Sequence, residues 1–273
     1  MLGGRNYQNL MNNYPTQPHT LSQLLGQSFR YYTQALKAIF LVIIVSMILQ
    51  EAMAYFYLLN PHLSQIAQLT IYVIVILLFT YIWSVALYRT HVSLREEPVS
   101  FKSACVWVFN KISTIYLGVF AFLLGISALF FVGYGISLAA SFFVQDNPAV
   151  RVFLTFWFIG IPLVIGLVLF YFVLPLLVLE RLNVWQAFGK SARLVGIRIH
   201  WLRTFVVYAM TLLFILIFMP EVKHNIWLRA HHVNFLFDFV VLSLLAPWGI
   251  NFILLLLNDL QLRFTNISTI PNK

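Results

Sequence analysis

Charge is what this chain most lacks. Only 9% of its 273 residues are Asp, Glu, Lys or Arg, and just 8 are acidic. Soluble domains carry about 25% charged residues. With 61% hydrophobic residues and a mean hydropathy of +0.87, too few polar groups remain to clothe a water-facing surface. That excludes a soluble globular domain. Cysteine is nearly absent as well. The single Cys105 has no partner for an internal disulfide, and it reads as a small buried apolar residue. There is no Walker loop, no Gly-x-Ser-x-Gly nucleophile elbow and no His-Glu-x-x-His zinc motif. An intramembrane enzyme would pair polar residues across spans, whereas Ser84, Ser127, Ser243 and Asn251 stand isolated in the sequence.

What the chain does have is long apolar runs. A spanning helix needs ~20 mostly apolar residues. Six segments qualify: Ala38–Leu59, Ile66–Tyr88, Ser113–Val144, Val152–Leu179, Thr204–Pro220 and Phe235–Asn258. The runs are continuously apolar, which excludes a β-barrel, whose strands alternate apolar and polar residues. The expected fold class is therefore an all-α integral membrane protein with six transmembrane helices.

The connections between runs alternate in charge. Basic residues collect on the side that faces the cytoplasm. Fourteen of the 17 Lys and Arg fall in the N-terminal segment, the second and fourth connections and the tail, leaving Arg151, Lys223 and Arg229 for the other side. Both termini are therefore expected in the cytoplasm. The pI of 9.8 then reads as topology and as attraction to anionic lipid headgroups, with no nucleic acid as partner. Residues 1–20 are polar, with Pro15 and Pro18, and are expected to be disordered, leaving the first span as an uncleaved anchor. Residues 265–273 form the expected cytoplasmic tail.

Three segments before the first, third and fifth runs share one pattern. Apolar or small residues stand at offsets 0, 3, 4, 7, 8 and 11, one face of a helix. The copies are Leu21, Leu24, Leu25, Ser28, Phe29, Tyr32; then Phe101, Ala104, Cys105, Val108, Phe109, Ile112; then Val184, Ala187, Phe188, Ser191, Ala192, Val195. The first and third also share Gly-x-Ser-x-Arg at Gly26, Ser28, Arg30 and at Gly189, Ser191, Arg193; the second has Val106, Val108 and Asn110 there. The expected organisation is three repeats, about 21–98, 99–182 and 183–264, within a membrane domain of residues 21–264. Each repeat is an amphipathic interfacial helix followed by a transmembrane hairpin. In the third run, Gly118, Ala121, Gly125, Ala128, Val132, Gly135 and Ala139 form a small-residue seam. Such a seam lets helices approach closely, and it places this helix at the centre of the bundle.

These blocks resemble a known family. The opening LSQLLGQSFRYYTQALKAIFLV is similar to the first amphipathic helix and span of the YciC-like bacterial inner-membrane proteins. Those proteins share this look with the membrane domain of some glycerophosphodiester phosphodiesterases. A second block, FYFVLPLLVLERLNVWQAFGKSARLV, carries the family's proline and acid at Pro175 and Glu180, then Ala187, Ser191, Arg193 and Leu194. A third has Ala246-Pro247 followed by Asp259, Leu260, Leu262 and Arg263. The resemblance covers most of residues 21–264. It implies a six-span protein of the bacterial inner membrane and brings no catalytic residues. The phosphodiesterases keep their chemistry in a separate soluble domain, whose motif opens on a His-Arg dipeptide that this chain lacks.

Few polar residues are placed to act. Glu51 is the only acidic residue well inside a run; it either faces the bundle interior or marks the outer interface beside Tyr55, Phe56 and Tyr57. Glu180 and Asp259 close the fourth and sixth runs and are expected to pair with Arg30 or Arg193 in a salt-bridge collar, with Arg181 and Arg263 close by. The same collar could hold a lipid headgroup. Glu221, His224, His231 and His232 have Glu-x-x-His spacing but no second carboxylate–His unit, so solvated loop residues are expected and no metal or cofactor. The expected function is a non-enzymatic inner-membrane protein with a structural or accessory role in the cell envelope, with a possible protein partner in the membrane. The alternative is a transporter or lipid-handling protein.

Overall fold

The computed structural model describes residues 14–60, 62, 64–95, 97, 99–141, 148–196, 203–206, 209 and 231–268. Among them every regular element is helical. These are α1 (Leu21–Arg30), α2 (Tyr32–Leu59), α3 (Gln65–Leu94), α4 (Phe101–Phe109), α5 (Ile112–Ser141), α6 (Pro148–Thr155), a π-helical turn (Phe156–Gly160), α7 (Ile161–Leu169), α8 (Val173–Leu179), α9 (Val184–Gly196) and α10 (His231–Ser268). Five stretches are long and apolar enough to cross a membrane: Tyr32–Met53, Gln65–Leu94, Ile112–Ala140, Phe153–Leu179 and Phe239–Thr265. This is the make-up of a multi-pass membrane protein. They coincide with the first four runs and the sixth. The fifth run, Thr204–Pro220, lies almost wholly outside the described residues, as do residues 1–13, Glu221, His224 and the tail beyond Ser268.

The amphipathic segments fold as helices because each has its own start signal. Thr20 Oγ1 accepts the Gln23 N–H at 3.3 Å, and Gln23 Oε1 accepts the Thr20 N–H at 2.8 Å. Asn183 and Gln186 make the same exchange at 2.8 and 3.1 Å, and Ser100 caps Ser103 at 3.1 Å. In each case the cap lies one residue before the helix and its partner at the third helical position, so orphan N–H groups find acceptors.

The chain forms two compact units. One comprises the elements up to Ile112 together with the chain from Ala209 on; the other is Ser113–Tyr208. In the first, α10 packs on α1, α2 and α3, and α4 packs on α3. The core lies toward one end of these helices: Ala35–Met47 of α2, Ser84–Leu94 of α3 and Leu242–Leu260 of α10 hold its buried side chains, whereas the first half of α3 (Ile66, Leu69, Tyr72) is exposed. In the second unit α9 packs on α7 and α8.

All three amphipathic helices bury offsets 3 and 7: Leu24 and Ser28, Ala104 and Val108, Ala187 and Ser191. The apolar face points at the spans through these two positions. Offset 8 does not share the burial, and Phe29 and Phe109 are 63% and 64% exposed.

Prolines and helix breaks leave backbone carbonyls without donors, and in an apolar surrounding each must be satisfied. Pro247 frees the Ser243 carbonyl in α10, and Tyr32 Oη donates to it at 2.7 Å. Between α7 and α8 the chain turns at Phe170–Phe172. There Ser191 Oγ donates to the Leu169 carbonyl at 2.7 Å and accepts the Phe172 N–H at 3.3 Å. Pro162 frees the Phe158 carbonyl in the π-helical turn, and Gly133 of α5 lies directly against it.

That contact corrects the expectation for α5. The seam on Gly125, Ala128, Val132, Gly135 and Ala139 is exposed; the buried and half-buried line runs through Ile115, Gly118, Phe122, Ile126, Leu129, Gly133 and Ser137. Gly118 meets Leu177 and Gly133 meets the Phe158 carbonyl, places where a Cβ would clash. Gly118 is a member of the seam, whereas Gly133 lies one residue round from Val132, so the close contacts follow the seam at its start and leave it further along. Of the five long apolar stretches the one in α5 has the smallest buried share, and the last, in α10, the largest.

Removing the Tyr32 hydroxyl strands a buried carbonyl, a loss of about 1–3 kcal/mol. Tyr32→Phe is therefore expected to lower unfolding stability in detergent by that amount. In a Pro247→Ala background the new N–H can reach the Ser243 carbonyl, and the same substitution should cost less than half as much. Equal losses in both backgrounds would show that the hydroxyl does not serve the freed carbonyl.

Candidate functional site

Among the described residues the densest set of polar contacts lies at the end of α10. Asp259 and Arg263 are one turn apart and share a helix face. Arg263 Nε donates to Asp259 Oδ2 at 2.9 Å. The pair then grips the backbone of a single residue, His19. Asp259 Oδ1 accepts the His19 N–H at 2.6 Å, and Arg263 Nη2 donates to the His19 carbonyl at 2.7 Å. Asp259 is fully buried. One position earlier on α10, Asn258 Nδ2 donates to the Pro15 carbonyl at 3.0 Å.

The same segment reaches α3. Tyr14 is buried, and its hydroxyl lies 2.8 Å from His91 Nδ1. Burial drives the Tyr14 phenol well above its ordinary range, against the opposing pull of the Arg95 charge. The phenol therefore keeps its proton and donates it, so His91 Nδ1 accepts.

Residues 14–20 thus form a strap from α3, along the end of α10, into the cap of α1. The polar, proline-bearing segment expected to be disordered is held from Tyr14 onward. Its composition is that of a solvated chain, but its backbone partners come from α10, some 240 residues away in sequence.

The expected collar assembles differently. Asp259 pairs with Arg263 on its own helix, not with Arg30. Glu180, at the end of α8, is paired by Lys190 of α9 at 2.6 Å, and both side chains are partly exposed; the partner is not Arg193. Ion pairs of that exposure contribute little, about 0–1 kcal/mol. Arg30 and Arg193 are both exposed, and among the described residues neither forms an ion pair. Glu51 is half-buried, one turn past the buried Met47 of α2. Asn251, a buried residue of α10, sends its Nδ2 to the Ser28 carbonyl at 3.3 Å, so its partner is α1 and not Glu51. Among the described residues no group of three or more His, Cys, Asp or Glu could hold a metal ion.

Each amphipathic helix meets the span beneath it through one aromatic contact and one hydrogen bond to a backbone group. For α1 these are Phe29 on Trp248, with ring centroids at 5.6 Å, and Asn251 on the Ser28 carbonyl. For α4 they are Trp107 on Tyr88 at 5.1 Å, and Tyr81 Oη on the Cys105 carbonyl at 3.1 Å. For α9 they are Phe188 on Phe170 at 5.0 Å, and Ser191 on the helix break. Lys111 lies 4.6 Å over the Trp107 ring, and Arg89 lies 5.4 Å from that of Phe101.

Tyr14, His91, Asn258 and Tyr32 were not legible as contact residues. The capping pairs went unread as well, although the capping-box spacing of Thr20-x-x-Gln23 and Asn183-x-x-Gln186 is the signal that could have found them. No protein-family model, no curated protein and no solved structure matches this chain.

Losing one partner of a buried ion pair costs about 3–5 kcal/mol. Asp259→Ala should therefore open residues 14–20 to limited proteolysis, while Glu180→Ala leaves them protected. Equal protection in both variants would count against the clamp. The strap should also loosen as pH rises above about 10, where a free phenol ionises but the docked Tyr14 does not. Tyr14→Phe should abolish that alkaline step.

Proposed function

We propose that this chain is a non-enzymatic protein of the bacterial inner membrane with a structural or accessory role in the cell envelope. Six spans, both termini in the cytoplasm and anionic lipid around its basic end complete the reading. The observation that carries it is where the polar side chains go. Asp259, Arg263, Asn258, Asn251, Tyr32 and Ser191 all bind the chain's own backbone. A substrate site needs polar groups that converge on a space; these converge on carbonyls and N–H groups that folding would otherwise strand. The charge alternation supports the orientation, and the resemblance to YciC-like proteins supports the compartment.

The three-repeat organisation belongs to the same proposal. Its support is the common cap position, the common burial of offsets 3 and 7, and the seating of each amphipathic helix. α4 sits on α3, the second span, and α9 sits on the α7–α8 part of the fourth. α1 precedes every span, and it sits on α10, the last. Each helix therefore rests on the hairpin before it in cyclic order, as repeated units do.

A transporter or lipid-handling role is the second reading. It is favoured by Arg30 and Arg193, exposed and without an ion pair among the described residues, which leave positive charge free for an anionic ligand. Native mass spectrometry of the protein released gently from its own membrane separates the two. A protein partner at fixed stoichiometry, with at most lipid bound, is expected. A single solute retained without any partner, and lost on Glu51→Gln, would overturn the accessory role in favour of transport.

A further inference from the structure

Gly26 and Gly189, like Gly196 at the end of α9, have no steric reason to be glycine. A Cβ at Gly26 or at Gly189 would meet nothing within 4 Å, and neither residue has a positive φ. Glycine inside a helix weakens it relative to alanine. Both positions are exposed and occupy the same offset, and each is followed one turn later by an exposed arginine that forms no ion pair among the described residues: Arg30 and Arg193. Long helical side chains lean toward the preceding turn, so each arginine reaches back over its glycine.

The helix geometry orders what surrounds this notch. At roughly 100° per residue, the buried offsets 3 and 7 point at about 300° and 340°. Phe29 and Trp185 then fall at about 80–100°, the glycine at about 140° and the arginine at about 180°. Going round from the spans, each helix presents first an exposed aromatic flank, then bare backbone, then a free guanidinium. Trp185 is 78% exposed. For a helix lying in the headgroup plane, the flank faces acyl chains and the arginine faces water. The notch lies at the level of the phosphates.

We propose that the Gly26–Arg30 and Gly189–Arg193 notches each seat the phosphate of one anionic phospholipid, with Phe29 and Trp185 against its acyl chains. This rests on the reading of α1 and α9 as interfacial helices. Guanidinium matches phosphate in charge and in hydrogen-bond geometry, and a missing Cβ lets the phosphate approach the backbone. The second amphipathic helix serves as an internal control: α4 has Val106 and Asn110 at the corresponding places, so it lacks both parts of the notch and binds no such lipid.

The test is native mass spectrometry of the full chain from nanodiscs of phosphatidylglycerol and phosphatidylcholine in equal parts, with unfolding midpoints measured alongside. Two tightly retained phosphatidylglycerol molecules per chain are expected. Arg30→Gln and Arg193→Gln should each remove one. Gly26→Val and Gly189→Val should do the same with charge unchanged, and Lys102→Gln on α4 should leave both. If Lys102→Gln removes as much lipid as Arg30→Gln, or the valine variants keep both molecules, charge is acting diffusely; the notch is then overturned while the lipid-facing reading of these helices stands. A wild-type chain that retains no lipid, or retains phosphatidylcholine equally well, would overturn the proposal and also remove the anionic-lipid part of the functional reading.

Discussion

Two buried positions recur on each of three short helices and seat each of them on a neighbouring helix of its own unit. Leu24 and Ser28, Ala104 and Val108, Ala187 and Ser191 are almost completely covered, and the helices that carry them rest on α10, on α3 and on α7–α8. The pairs are one turn apart, so each helix makes contact along a narrow line. Small residues recur on that line, and they bring the helix backbone close to the span. From this follow the side chain–backbone hydrogen bonds: Asn251 reaches the Ser28 carbonyl, Tyr81 the Cys105 carbonyl and Ser191 the break after Leu169.

Where the helices do not continue, the backbone sets the chemistry. Within a bilayer a carbonyl without a donor has no water to turn to. Pro247, Pro162 and the turn at Phe170–Phe172 each create such groups or disturb the ladder near them. Tyr32 and Ser191 donate to two of the exposed carbonyls, and at the third Gly133 brings α5 into direct contact with Phe158. The strap extends the same logic to the helix end. Asp259 and Arg263 use one acceptor and one donor to close both backbone groups of His19, which fixes the entry of the chain into α1. Thr20 continues directly from that clamp as the cap of the helix. Among the described residues Asp259, Arg263, Asn258, Asn251, Tyr32 and Ser191 serve the chain's own architecture, and the accessory function proposed above rests on that.

Much of the helical framework was readable because helices answer to local rules. Apolar runs of sufficient length mark spans whatever lies around them, and the first four of the six expected runs, with the sixth, have a long helical stretch in place. The 3-4 offsets gave the inner face of α1, α4 and α9; offsets 3 and 7 are buried in all three, and α9 also buries offsets 0 and 11 at Val184 and Val195. The candidate site was less legible. Glu180 and Asp259 are visible as acids that close a span, but their partners depend on direction and distance. Lys190 is the residue of α9 that reaches Glu180, though Arg193 is on the same helix, and Arg263 lies on Asp259's own helix face. The seam on α5 shows the same gap. Gly118 of the seam meets Leu177, but the approach to the Phe158 carbonyl is made by Gly133, one residue round from Val132.

The sequence by itself determined the helical character of the described residues, their membrane-length apolar stretches and the starts of α1, α4 and α9. Each of these depends on composition, period or a cap within a few residues. Only the tertiary structure decided that α10 is the most buried of the long helices, that Tyr32 and Ser191 answer for broken backbone, and that a polar N-terminal segment is strapped to Asp259 and His91. These depend on groups brought together from distant parts of the chain. Whether a polar side chain faces lipid, water or a stranded carbonyl is set by its neighbours in space, and local pattern holds no record of them.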